Sequence, residues 1–152
     1  MSGKAPAPGG PSSEDDEQLA VVQPEGWAQP QGYSNGMAGR GRLVFVAGQV
    51  GWDPRTGSFA GDDLAAQAAQ ALANVAAVLR AAGAEPRHVA RLTWYVTDRT
   101  EYLAARPAIG AAYREVIGRH YPAMSLVVVH SLLEDRAKVE IEATAVVPDP
   151  RT

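Results

Sequence analysis

The sequence has 152 residues, of which 46% are hydrophobic and 20% charged, and its formal net charge is −3 at pH 7. This size fits one globular domain, and no apolar run approaches the roughly 20 residues that a membrane-spanning helix needs. With no cysteine and only three scattered histidines, the chain offers neither thiolate chemistry nor a metal-binding pattern. It also has no cluster of Lys and Arg, so we expect no nucleic-acid partner. Taken together, these features also lead us to expect no cofactor, no metal and no membrane partner.

The N-terminus is rich in Pro, Gly, Ser and acidic residues and has no apolar segment of the kind found in a secretory signal. A stretch of this composition cannot pack a core. We therefore predict a disordered tail at 1–17, one folded domain at 18–148 and a C-terminal tail at 149–152. The lack of a targeting pattern predicts a cytoplasmic location by default.

The first half of the domain predicts two strands and a long helix. The apolar stretch 19–22 predicts a short edge strand, and the continuous apolar run LVFVAGQV at 43–50 predicts a buried central strand. From Asp62 onward, apolar residues recur at three- and four-residue steps over about five turns. This pattern predicts a helix that Asp62 caps at its N-terminus and that Gly83 ends in the left-handed conformation.

The second half begins with an alternating strand and a second helical pattern. Residues 89–97 alternate between apolar and polar side chains, which predicts a half-buried strand. The helical pattern at 100–118 contains Pro107, which removes a backbone hydrogen bond from a helix interior. We therefore expect a short first turn and a new helix that starts near Arg106.

Two further strands are predicted at 125–130 and 138–147, the second with one apolar face. The order β, β, helix, β, helix, β, β predicts an α+β fold in which a mixed sheet carries both helices on one face. The other face is expected to carry Thr93, Tyr95, Glu140, Glu142 and Val146. A small open sheet of this kind is commonly covered by oligomerisation.

Four segments carry a resemblance to a known family: PAMSLVVVHSLLEDRAKVEIEATAV, VFVAGQVGWDPRTG, DDLAAQAAQALANVAAVLRAAGA and VARLTWYVTD. Together they resemble the RidA (YjgF) family of small trimeric proteins with a chorismate-mutase-like fold, over about residues 18 to 148. The resemblance implies a homotrimer with three clefts between neighbouring subunits, each lined by strand ends and loops. It also implies an activity, because active members hydrolyse reactive enamines and imines, such as 2-aminoacrylate, to 2-keto acids and ammonia.

The resemblance also draws attention to one substitution. In active members an arginine immediately before the Ser of the Pro-Ala-x-Ser turn holds the substrate carboxylate with two parallel hydrogen bonds. Here that serine is Ser125, and Met124, which has no donor and no charge, occupies the arginine position. Losing a buried bidentate pair costs about 3 kcal/mol, or roughly a hundredfold in affinity or rate. Arg42, Arg119 or Arg136 could supply another cation across a cleft.

Other positions match the family only in part. Glu140 occupies the family's glutamate position, where it could act as a general base on water; otherwise it is a solvated residue of the polar face. Tyr33 matches a tyrosine that closes the cleft, and otherwise it is surface packing. Gly48 and Gln49 match a step whose backbone amides could meet a ligand oxygen, whereas Ala47 replaces a serine of that step.

Two functions remain open on these residues. The first is a RidA-family hydrolase or deaminase for an imine, enamine or related small metabolite, with specificity altered by Met124. The second is a catalytically silent RidA-like trimer that binds a small metabolite or a partner protein. In both, the loss of polar groups at Ala47 and Met124 favours a less charged or more apolar ligand. The charge balance gives no support to a ribonuclease.

Overall fold

The computed structural model describes residues 19–150. In chain order the elements are β1 (Ala20–Val22), β2 (Gly36–Ala38), β3 (Arg42–Val50), β4 (Trp52–Asp53), β5 (Ser58–Phe59), α1 (Leu64–Ala81), β6 (Val89–Val96), α2 (Arg99–Val116), β7 (Ala123–Val128) and β8 (Val139–Val147). The main sheet has the order β3-β8-β6-β7. β8 is antiparallel to both β3 and β6, whereas β6 and β7 are parallel. β1 pairs with β2 and β4 with β5 as small separate ribbons.

The core lies between one face of this sheet and the helices. On β6 the side chains of Leu92, Trp94 and Val96 point to this face and are buried. α1 faces them with a buried row at three- and four-residue steps: Leu64, Ala68, Ala71, Leu72, Val75 and Leu79. Each fully buried Leu or Val contributes about 1.5–3 kcal/mol relative to an exposed one. This packing confirms the predicted α+β fold, a mixed sheet with two helices on one face.

The opposite face of the sheet is bare of helices in residues 19–150 and carries the polar side chains that the alternation predicts. Thr93 pairs with Glu142, and Tyr95 pairs with Glu140. Toward the β3 edge this face becomes apolar, because Phe45 is 73% exposed. Leu43 is also 54% exposed on this face, and neighbouring exposed apolar side chains are typical of a contact surface.

The prediction that residues 43–50 form a central strand is wrong. Within residues 19–150, β3 lies at an edge of the sheet and pairs only with β8, and its exposure alternates along its first half. Leu43 and Phe45, which made the sequence appear continuously apolar, lie on the bare face. A bulge between Val46 and Gln49 then shifts the register of the strand. The sequence of β3 is continuously apolar because the strand carries apolar side chains on both faces of the sheet. It is not flanked by a strand on each side among the described residues.

The cap of α1 is Asp63 and not Asp62. The Oδ2 atom of Asp63 accepts a hydrogen bond from the backbone N–H of Ala66 at 2.9 Å. Asp62, one residue too early to reach the first-turn amides, instead forms an ion pair with Arg136 at 3.1 Å. The predicted end of the helix is confirmed, because Gly83 follows it with φ of 71°.

The predicted break near Arg106 is also wrong, because α2 is one helix that contains Pro107. Its N-terminus is fixed by Asp98, whose Oδ1 accepts from the N–H of Glu101 at 2.7 Å. Proline at 107 removes the hydrogen bond to the carbonyl of Leu103. Both residues are exposed, so water can donate to that carbonyl and the helix continues.

The predicted tail at 1–17 and residue 18 lie outside the described residues, as do 151 and 152. The domain limits 18–148 therefore remain a prediction. No helix in the described part of the chain is both long enough and apolar enough to cross a bilayer.

Candidate functional site

A cavity of about 670 Å³ lies between α2 and the first residues of β7, and we call it the α2–β7 groove. Two of the predicted site residues, Tyr33 and Met124, line it. Most of its remaining wall is aromatic or aliphatic: Trp94, Tyr102, Leu103, Ile109, Tyr113, Tyr121 and Leu126. A cavity of this size falls in the range of about 300–1,000 Å³ that is usual for small-molecule sites.

Strand register explains why Met124 points into this groove. The pairing of β6 with β7 sets Met124 beside Leu92 and Leu126 beside Trp94. Both side chains therefore lie on the helix-bearing face, and both pack against the hydrophobic core. Because α2 covers this part of the sheet incompletely, Met124 forms a soft apolar floor to the groove.

Tyr33 is held at the mouth of the groove through its neighbour Ser34. The backbone N–H of Ser34 donates to the carbonyl of Pro122 at 3.0 Å, and its Oγ donates to the carbonyl of Tyr121 at 2.6 Å. Ser34 also forms a parallel bridge with Ala123. These bonds attach the loop to the start of β7, so the position of Tyr33 relative to Met124 is fixed.

Tyr102 and Tyr113 of α2 form an uncharged aromatic wall. Tyr113 stacks on Tyr121, which follows the helix, with ring centroids 5.7 Å apart, and the hydroxyl of Tyr113 donates to the carbonyl of His120 at 2.6 Å. Burial raises the pKa of Tyr113. Burial also raises the pKa of Tyr102, although the nearby charge of Arg106 acts in the opposite direction. Both phenols are therefore neutral near pH 7.

The groove also contains two cations that the sequence analysis missed, Arg106 and Arg114 of α2. Neither guanidinium forms an ion pair with a carboxylate of residues 19–150. A Cβ placed on Gly110 would lie 3.3 Å from Nη1 of Arg114, so this side chain runs back over the glycine toward the helix N-terminus. The four-residue spacing of Tyr102, Arg106, Gly110 and Arg114 is the sequence signal that could have identified them.

The three cations considered from the sequence lie elsewhere in the subunit. Arg42 donates to the carbonyl of Ala82, at the end of α1, at 2.8 Å. Arg136 pairs with Asp62, and Arg119 lines a different cavity. None of the three lines the α2–β7 groove.

Glu140 and Gly48 form a second, separate group on the bare face of the sheet. A Cβ on Gly48 would lie 2.7 Å from the carboxyl carbon of Glu140, so glycine leaves the space that this carboxylate occupies. Beside it, Tyr95 donates to Oε1 of Glu142 at 3.1 Å. This hydrogen bond is the main cause that raises the pKa of Tyr95, and the charge of Glu140 adds to it. A half-buried carboxylate therefore lies next to a neutral phenol.

The last two predicted site residues do not enter the groove either. Gln49 pairs with Ile141 across the β3–β8 ladder, and its side-chain Nε2 donates to the carbonyl of Ala47 at 3.1 Å. Ser125 is exposed and pairs with Thr93, so it lies on the bare face. One subunit thus divides the predicted site: Tyr33 and Met124 line the groove, whereas Gly48, Gln49, Ser125 and Glu140 do not. No group of His, Asp or Glu within residues 19–150 is arranged to hold a metal ion.

Comparison with known proteins gives a consistent assignment. A family model described as Endoribonuclease L-PSP matches residues 27–147. The 2-iminobutanoate/2-iminopropanoate deaminase of Salmonella typhimurium is 38% identical over 109 residues, which covers 70% of this chain and 80% of that protein.

Solved structures agree in both fold and sequence. The Rid family protein YyfB of Yersinia pestis superposes with a TM-score of 0.76 at 36% identity, covering 86% of this chain and 99% of that one. Escherichia coli TdcF with bound serine gives a TM-score of 0.60 at 32% identity, covering 84% and 98%. The family match, the sequence identities and the shared fold lead to one conclusion: this chain belongs to the RidA (YjgF) family, whose model is described as Endoribonuclease L-PSP.

Proposed function

We propose that this protein is a RidA-type hydrolase that deaminates an imine or enamine of a small metabolite, and that Met124 changes which substrate it accepts. The observation that carries the proposal is the carboxylate of Glu140 packed against Gly48, two residues that the sequence resemblance matches to site positions of the family. The name of the Salmonella relative, a 2-iminobutanoate/2-iminopropanoate deaminase, supports the reaction class. We further propose that the protein acts in the cytoplasm.

Glu140 serves as the general base in this proposal. It takes a proton from water while the water oxygen attacks the imine carbon, the π electrons of the C=N bond move to nitrogen, and protonated Glu140 delivers its proton to that nitrogen. The resulting carbinolamine then collapses: Glu140 takes the proton of the hydroxyl and passes it to the amino group, the C–N bond breaks, nitrogen leaves as ammonia, and the C–O bond becomes the carbonyl of a keto acid. An enamine first gains a proton on its terminal carbon and enters as the imine.

A complete site requires two subunits in this proposal. Glu140 and Gly48 lie on the bare face of the sheet, whereas Tyr33 and Met124 line the groove on the other side. We propose a homotrimer in which the Glu140 group of one subunit meets the Tyr33 group of its neighbour in an intersubunit cleft. The exposed Phe45 on the bare face supports burial against another subunit.

The test is the release of keto acid and ammonia from freshly generated 2-iminopropanoate. The wild type is compared with Met124→Arg, with Met124→Leu as a matched apolar control, and with Met124→Arg combined with Glu140→Gln. We expect little wild-type turnover, a gain of roughly a hundredfold for Met124→Arg, and no gain for Met124→Leu. The gain should disappear in the combined variant, because the general base is then missing.

Two other results would contradict this proposal. Rapid turnover of 2-iminopropanoate by the wild type would show that Met124 does not alter specificity. No turnover by Met124→Arg would instead favour the second candidate, a silent trimer that binds a small metabolite or a partner protein, which the apolar side chain of Met124 at the groove floor also suits.

A further inference from the structure

We infer that the α2–β7 groove binds an organic carboxylate with an aromatic or branched apolar body, and that Arg106 and Arg114 supply the positive charge that position 124 lacks. The inference names the substrate class of the site proposed above and rests on that proposal for its catalytic meaning. Its physical basis is the groove itself, which can be tested without any turnover.

The groove carries uncompensated positive charge. Arg106 and Arg114 both line the groove, and neither is engaged by a carboxylate within the described part of the chain. Guanidinium groups suit carboxylates because two parallel N–H donors match the two oxygens. An anion in the groove would therefore meet two cations that have no competing partner in residues 19–150.

The groove is roomy and largely apolar. In one subunit the cavity of about 670 Å³ has room for a ligand larger than a three-carbon acid. Its wall includes Trp94, Tyr102, Ile109 and Leu126, so a ligand gains from burying an apolar body there. Met124 at the floor of the groove can pack against apolar atoms of a ligand, whereas an arginine there would need an anionic partner.

Together these features describe a ligand with an anionic end near α2 and an apolar body over Met124. The positive charge lies on α2 and not at position 124 of β7. The carboxylate of the ligand is therefore expected beside α2 and not over the floor that Met124 forms. Imines and keto acids with aromatic or branched side chains fit this arrangement better than 2-iminopropanoate does. The inference therefore predicts selectivity for larger anionic substrates over small ones.

The experiment measures binding by calorimetry, using 3-phenylpropanoate, its neutral isostere 3-phenylpropanamide, and propanoate as probes. We expect 3-phenylpropanoate to bind the wild type at least tenfold more tightly than either other probe. The double variant Arg106→Gln/Arg114→Gln should lose at least tenfold in affinity for 3-phenylpropanoate while its affinity for the amide is unchanged. Arg99→Gln, an exposed arginine of the same helix outside the groove, should behave as the wild type.

Three outcomes would overturn the inference. These are equal binding of acid and amide, no effect of the double variant, and a change of oligomeric state in the double variant, which would mean that a neighbouring subunit occupies the two arginines. Glu140→Gln separates this inference from the proposed function, because it should abolish turnover and leave binding of 3-phenylpropanoate intact. If the double variant Arg106→Gln/Arg114→Gln deaminates substrate as fast as the wild type, this inference is wrong and the proposed function still stands.

Discussion

The carboxylate of Glu140 occupies the space in which a side chain at Gly48 would begin, with 2.7 Å between the Glu140 carboxyl carbon and a Cβ built at position 48. This contact joins β3 to β8 within the β3 bulge. The geometry of the proposed general base therefore depends on the absence of a side chain on the neighbouring strand.

Gly48→Ala should consequently displace the Glu140 carboxylate and lower the free energy of unfolding by about 1 kcal/mol at most, because only the end of that side chain must move. In a Glu140→Ala background the same change should cost much less, since the clash is with the Glu140 side chain. A double-mutant cycle from urea denaturation measures this coupling. Gly61→Ala is the control, because a Cβ there meets nothing within 4 Å. Equal costs of Gly48→Ala in the two backgrounds would exclude the contact.

Phe45→Glu should convert the proposed trimer into monomers. Phe45 is 73% exposed on the bare face of the sheet, and a charge buried there without a partner would oppose association. Leu133→Glu is the matched control, because Leu133 is 95% exposed in a loop. Light scattering after size exclusion measures the mass directly. A wild-type monomer, or a Phe45→Glu trimer, would contradict the proposed assembly.

The cap of α1 can be tested with two adjacent aspartates. Asp63→Ala should lower the free energy of unfolding by about 1 kcal/mol, because it leaves the N–H of Ala66 without its acceptor. Asp62→Ala should cost less than about 0.5 kcal/mol, since its ion pair with Arg136 is exposed. Chemical denaturation of the two variants ranks them, and the reverse order would reassign the cap to Asp62.

His88 should make stability depend on pH. Burial is the main cause that lowers its pKa, the charge of Arg87 adds to it, and its Nδ1 accepts from the N–H of Glu85 at 3.0 Å. The unfolded chain, with a histidine pKa of about 6.5, therefore binds a proton first as the pH falls. Stability should be fully present above that pH and decline as the pH falls from it through the lowered folded pKa.

His88→Gln should flatten this decline, whereas His130→Gln should leave it intact, because His130 is exposed. The free energy of unfolding is measured between about pH 5 and pH 8. An identical pH profile for the wild type and His88→Gln would show that another group causes the decline.

Periodicity alone predicted most of the fold. The four-residue repeat in α1 and the alternation in β6 and β8 are local patterns, and they determine which side chains turn inward. The position of β3 at the edge was not predictable in the same way, because Leu43 and Phe45 are apolar on the bare face as well. The continuity of α2 through Pro107 depends on solvent at Leu103, which local rules do not describe.

The candidate site was predicted residue by residue but not as an arrangement. Met124 and Ser125 are neighbours in the chain, yet strand alternation sends them to opposite faces of the sheet. Tertiary packing decides which face of the sheet carries the helices. The separation of Met124 from Glu140 could therefore not be derived from the sequence. Arg106 and Arg114 were missed because the prediction considered cations at strand ends and loops, not along the exposed side of a helix.

The buried indole in the groove wall also gives this protein an intrinsic optical reporter. Trp94 is one of three tryptophans, and of the others Trp27 is 61% exposed and Trp52 lies half-buried against Phe59. Phenylalanine at positions 27 and 52 would leave a single emitter in contact with the groove. Because indole fluorescence responds to the polarity around the ring, the emission spectrum of that variant would register a ligand that enters the groove, in real time and without a chemical label.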